Sequence, residues 1–123
     1  MKTPEQLVEN AKQNIEQISV EQAAKICVDH KIIDVREADE YVQGHLADAM
    51  NIPRGVLEFK IADNIADKNT PIMVYCKTGG RAALSAQVLG ELGYCHVKSI
   101  EGGYEAWEQA GKPTQTPSDT EFY

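Results

Sequence analysis

The chain has 123 residues, 42% of them hydrophobic and 25% charged, with a net charge of −7. That size and balance suit one globular domain with one modest core. The acidity argues against the broad basic face that binds a nucleic-acid backbone, and no apolar run approaches the roughly 20 residues of a membrane span.

Residues 4–17 read as an amphipathic helix, because Leu7, Val8, Ala11, Ile15 and Ile18 recur near helical spacing with polar residues between them. Ser19 with Gln22 forms a capping-box pattern that starts a second helix, running to about Cys27. Ile32–Val35 is a short strand of buried type. Residues 36–42 read as a helix stopped near Gly44. Residues 48–52 form a weak strand ended by Pro53, and 54–62 a further helix. Pro71–Tyr75 carries the strongest strand signal. Residues 80–92 form a helix whose packed side holds Ala82, Ala83, Ala86, Val88 and Leu89. Residues 96–100 are another strand, and Gly103 to Ala110 a last helix. A polar Pro/Thr/Ser tail follows. Strands alternating with helices imply a parallel sheet covered on both faces, with ligands at the carboxyl ends of its strands.

Cys76 stands at such an end. It closes the strand 71–75 and opens the loop Lys77-Thr78-Gly79-Gly80-Arg81, after which the helix begins. Turn amides and a helix N-terminus favour negative charge there, and Lys77 and Arg81 add cationic side chains. A thiol so placed is expected to be nucleophilic. The three cysteines, Cys27, Cys76 and Cys95, are odd in number and lack Cys-x-x-Cys spacing. A disulfide framework and a metal site are therefore not expected, and no cofactor is implied. The opening Met1–Gln6 lacks the apolar segment of a secretion signal, so a reducing cytoplasm is the expected setting.

Several stretches in fixed order resemble a single-domain rhodanese. They are Ile33-Asp34-Val35-Arg36, Glu40-Tyr41, Gly44-His45-Leu46, Ala49-Met50-Asn51-Ile52-Pro53, Val74-Tyr75-Cys76 with Gly79-Gly80-Arg81, and Glu101-Gly102-Gly103 with Trp107 and Ala110-Gly111. The resemblance implies a rhodanese-like fold of five parallel strands flanked by helices. It divides the chain into an N-terminal helical extension (1–18), the domain (19–113) and a polar tail (114–123). It also implies a sulfurtransferase. Cys76 would take the outer sulfur of thiosulfate as a persulfide and pass it to a thiol or to cyanide, and a protein persulfide is a further candidate partner. The amides of residues 77–81 would cradle the sulfur, and Lys77 or Arg81 would orient the donor. Two positions depart from the family. Ala47-Asp48 stand where Pro-Gly is frequent, and Ala82 where a serine is common.

Asp34, Arg36 and His45 read as structural support. Asp34 would accept loop N–H bonds, Arg36 would pair with Glu40 at i+4, and His45 would serve as a packed hydrogen-bond partner. Cys27 and Cys95 read as small packing residues, with Cys95 as a resolving thiol the alternative. His30 and His96 read as surface or loop residues. Arg54 and Glu58 read as a solvated helix face, with a place on the pocket rim as the alternative. Trp107 would pack the last helix on the sheet. Two rival functions share this outline. A Cys-x5-Arg phosphatase or arsenate reductase needs one more loop residue to wrap its anion. A non-catalytic module would not need the thiol.

Overall fold

A computed structural model describes residues 1–117. Thr3 caps helix α1 (Pro4–Gln13) through a capping box with Gln6, with Pro4 at its first position. Strand β1 (Glu16–Ile18) follows at once, so the helix expected over residues 4–17 ends early. Ile15 packs on the core of one sheet face and Ile18 on the core of the other. One helix face cannot reach both, whereas the alternation of a strand does so directly.

Ser19 and Gln22 form the expected capping box of α2 (Val20–Ile26), which leads through a single 3-10 turn, Cys27–Asp29, to β2 (Lys31–Asp34). Next come α3 (Ala38–Gln43), β3 (His45–Leu46) and β4 (Met50–Asn51). Between β3 and β4, Asp48 takes a left-handed φ of 65° where the family often carries glycine. A 3-10 turn, Arg54–Val56, leads into α4 (Leu57–Asn64). The remaining elements are β5 (Ile72–Tyr75), α5 (Gly80–Glu91), β6 (Val97–Ile100), α6 (Gly103–Gln109) and β7 (Thr114–Gln115).

Five strands form the main sheet in the order β1-β6-β5-β2-β4, every pairing parallel. Helices cover both faces. On one face α4 and α5 bury Leu57, Ile61, Ala82, Ala86 and Leu89 against Ile33, Val35, Ile72 and Val74, and α1 packs on α5. On the other, α2 and α6 bury Ala23 and Trp107 against Ile32, Met73, Tyr75 and Ile100. Alternation along β5 therefore sends Tyr75 to the α6 side and Cys76 to the α5 side.

The start of the expected tail is ordered. β7 pairs antiparallel with β3, and Trp107 Nε1 donates to the Pro113 carbonyl at 2.8 Å. The rest of that tail, residues 118–123, lies outside the described residues. Among the described residues no helix is long and apolar enough to cross a membrane.

Candidate active site

Cys76 follows β5 at the carboxyl edge of the sheet. Its side chain is 1% exposed, and it reaches back under the first turn of α5. Sγ accepts the N–H of Gly79 at 3.1 Å and that of Ala82 at 3.3 Å. Gly79 occupies the N-cap position of α5 and has no side chain to cap it, so the sulfur takes the place of a capping oxygen toward the third helical residue. The φ of Gly79 is +123°, a conformation that strains any side-chain-bearing residue and that turns its N–H inward. The cradle expected from the amides of residues 77–81 is thus made by Gly79 and by Ala82, one residue further on, because the inward amides are those of the cap and of the helix's third position.

The loop is held from behind by α6. The Tyr104 N–H donates to the Cys76 carbonyl at 2.7 Å and the Glu105 N–H to the Lys77 carbonyl at 3.0 Å. With both carbonyls turned outward, the loop's N–H groups are free to face the sulfur. Gly103, at φ +58°, makes this approach possible, since a Cβ there would collide with the Cys76 carbonyl oxygen and the Lys77 carbonyl. Gly103→Ala is therefore expected to cost about 2 kcal/mol or more in stability and to displace the loop. Thermal denaturation and the amide shifts of Gly79 and Ala82 check this, and unmoved shifts would show that α6 does not set the loop. The signal for this support was present in the glycine pair 102–103 opening a helix, a mark of close backbone approach.

Arg81 is engaged by a carboxylate. Its Nη1 and Nη2 lie 2.8 and 3.2 Å from the two oxygens of Glu40, which also accepts the Glu37 N–H in the capping box of α3. Arg81 is therefore already paired, and one expectation is corrected: Glu40 pairs with Arg81 rather than with Arg36. The hydrogen bonds from Arg81 hold the Glu40 carboxyl down from 4.5 to about 2, against the opposing effect of burial. The same hydrogen bonds raise Arg81. A carboxylate with a depressed folded pKa adds stability above its ordinary range, and that stability is lost as pH falls through the folded value. The advantage of wild type over Glu40→Gln is therefore expected to fade between pH 4.5 and pH 2. Its size is about 1 kcal/mol at most, because the pair is partly solvated. Parallel urea titrations at several pH values check this, and a constant difference would mean the pair contributes nothing measurable.

Arg36 pairs with Asp34 instead. The Asp34 carboxylate, fully buried, accepts the Arg36 N–H at 2.9 Å, Arg36 Nη2 at 2.7 Å and the Tyr75 hydroxyl at 2.7 Å. Arg36 Nη2 also donates to the Gly44 carbonyl at 2.6 Å, and Tyr75 Oη accepts the Leu46 N–H at 3.1 Å. The Arg36 guanidinium lies 4.3 Å from the centre of the Tyr104 ring. Burial alone would lower the pKa of Arg36, but hydrogen bonding and the charge of Asp34 outweigh it and raise the value. Burial raises Tyr75 strongly, and Asp34 adds to the effect. This network ties β2, β3 and β5 to α6 beneath the loop. His45 is 4% exposed, stacks on Tyr41 with ring centres 3.8 Å apart, and sets Nδ1 3.1 Å from the Tyr41 carbonyl oxygen, the packed role expected of it.

Lys77 and Thr78 are exposed on the loop. Lys77 borders a cavity of about 300 Å³ that Arg36, Tyr104, Glu40, Glu105 and Glu108 also line, so carboxylates and a second cation share the surroundings of the loop. Cys95 is exposed and Cys27 half-buried, both free. The packing role expected of Cys95 is therefore not realised, because its chain position falls in the open turn after Gly93, whose carbonyl its thiol contacts at 3.4 Å. Among the described residues no cluster of His, Cys, Asp or Glu could hold a metal ion.

The chain is 39% identical over 70 residues to the thiosulfate sulfurtransferase PspE of Escherichia coli (strain K12), spanning 57% of this chain and 67% of that protein. It superposes on the polysulfide-sulfur transferase homodimer of Wolinella succinogenes with a TM-score of 0.77 and 32% identity, covering 94% of this chain and 89% of that one. A Rhodopseudomonas palustris CGA009 protein of unknown function, described as a possible tyrosine phosphatase, matches with a TM-score of 0.87 and 27% identity over 94% of this chain and 96% of that one. The family model of the rhodanese-like domain matches residues 9–110, most of the chain, and the chain belongs to that family.

Proposed function

We propose that this protein is a sulfurtransferase that carries a sulfane sulfur on Cys76. The observation that supports it most is the pair of N–H groups, from Gly79 and Ala82, that converge on Sγ at the start of a helix. Two such donors and the helix dipole suit an anionic sulfur and need no neighbouring general base. In the reading we favour, the Cys76 thiolate attacks the outer sulfur of thiosulfate. The new S–S bond forms as the old one breaks, and sulfite leaves with the bonding electron pair. The persulfide keeps the negative charge. An acceptor thiolate or cyanide then attacks its outer sulfur and regenerates the Cys76 thiolate. Lys77 and Thr78 border the path of the incoming donor, and Arg81 acts indirectly, bracing the loop against α3 through Glu40. Polysulfide or a protein persulfide would enter the same cycle. Three free cysteines suit a reducing compartment such as the cytoplasm.

The likeness to a protein described as a possible phosphatase raises a second reading. It suits the loop less well. Four residues separate Cys76 from Arg81, and the guanidinium that would have to clasp a phosphate is already bound to Glu40. Mass spectrometry after incubation with thiosulfate tests the proposal, and a gain of one sulfur is expected. Hydrolysis of an aryl phosphate with no sulfur gain from thiosulfate or polysulfide would reverse the choice.

A further inference from the structure

Arg54 opens the 3-10 turn after Pro53. Its N–H donates to the Val35 carbonyl at 3.1 Å, and the Val35 N–H donates to the Tyr75 carbonyl at 3.0 Å. Tyr75, Val35 and Arg54 thus form one row across the carboxyl edge of the sheet, and the residue after Tyr75 is Cys76. Val56, two residues beyond Arg54, packs on the same core as Cys76 and Ala82. The Arg54 backbone therefore lies at the sheet edge that carries Cys76, and the residue is half-buried rather than on the solvated helix face its sequence context suggests.

The arginines of this edge differ in one respect. Arg36 is bound to Asp34 and Arg81 to Glu40, whereas Arg54 has no carboxylate partner among the described residues. Its Nε is buried and without any acceptor. An arginine N–H removed from water and left unpaired is costly, and such groups are rare without a reason. An acidic chain has ample carboxylate to neutralise an arginine that serves only packing. The guanidinium fork matches oxyanions in a bidentate manner.

We propose that Arg54 binds the anionic end of the sulfur donor while Cys76 attacks its outer sulfur. This rests on the sulfurtransferase reading above and names a donor-binding residue outside the loop. The donor class it selects is a small sulfur anion, thiosulfate being the probe.

Two measurements test it. In steady-state transfer from thiosulfate to cyanide, Arg54→Ala is expected to raise KM roughly tenfold or more with little change in kcat, as for loss of a charge-assisted hydrogen bond. Arg54→Lys should recover part of the loss. An unchanged KM with a lowered melting temperature would assign Arg54 to structure alone and overturn the proposal. The second measurement needs no turnover. Thiosulfate is titrated into Cys76→Ser while the Nε–H resonance of Arg54 is followed by NMR, with sulfate as the comparison. A saturable shift with thiosulfate, weaker with sulfate, supports the proposal. A silent Arg54 resonance beside moving Gly79 and Ala82 amides overturns it. If wild type gains no sulfur yet the resonance still shifts, the transfer reading fails and the anion site stands.

Discussion

Cys76→Ser is expected to lower thiosulfate-to-cyanide transfer on the order of 10³-fold or more, as for removal of other covalent nucleophiles. The variant should also lose the one-sulfur mass gain entirely. Serine is close to cysteine in size, and its oxygen can accept the same N–H groups from Gly79 and Ala82, so the fold should survive. A melting temperature near that of wild type makes the loss chemical. The serine hydroxyl is a poor nucleophile here and cannot carry a sulfane sulfur. If Cys76→Ser kept wild-type turnover, sulfur would have to travel through another thiol, and exposed Cys95 would become the first suspect.

Asp34→Ala should destabilise the domain by about 3–5 kcal/mol, because it strands the Arg36 guanidinium in the interior with its main partner gone. The loss spreads beyond that pair. The Arg36 backbone N–H and the Tyr75 hydroxyl also lose their acceptor. Against a typical total of about 5–15 kcal/mol, the variant would sit near the edge of folding. Urea denaturation measures the cost. The double variant Asp34→Leu/Arg36→Met should recover much of it, since an apolar pair removes both buried charges at once. A single-variant cost below about 1 kcal/mol would place this pair with weak surface pairs and deny it a structural role.

The strand, turn and helix start around Cys76 were legible because they are local. Strand, thiol, glycine turn and helix start follow one another without a gap in residues 71–92. What the sequence hid lies across the chain. Glu40 and Arg81 meet only because α3 and α5 start at the same edge, so the i+4 rule pointed to Arg36 and missed the true partner. Asp34 takes Arg36 two residues away, a contact made by the chain bending out of β2 and invisible to helical spacing. β1 was hidden because Ile15 and Ile18 satisfy a helical interval although they serve opposite faces. β3 and β7 are two-residue strands with too little pattern to read. Gly103 belongs to the likeness, but the hold that it and Tyr104 have on the loop appears only when α6 is seen behind it.

The pairing of β1 with β6 has a consequence for synthesis. Glu16 is aligned with Lys98 and Ile18 with Ile100, so the first strand made waits for the last of the main sheet. During translation, residues 16–18 leave the ribosome long before their neighbour exists, and this edge of the sheet closes only once β6 has followed. Nascent chains that stop short of residue 97 therefore carry β1 without its partner strand and leave the β5 edge open, and they are the species a protease or a chaperone should recognise first.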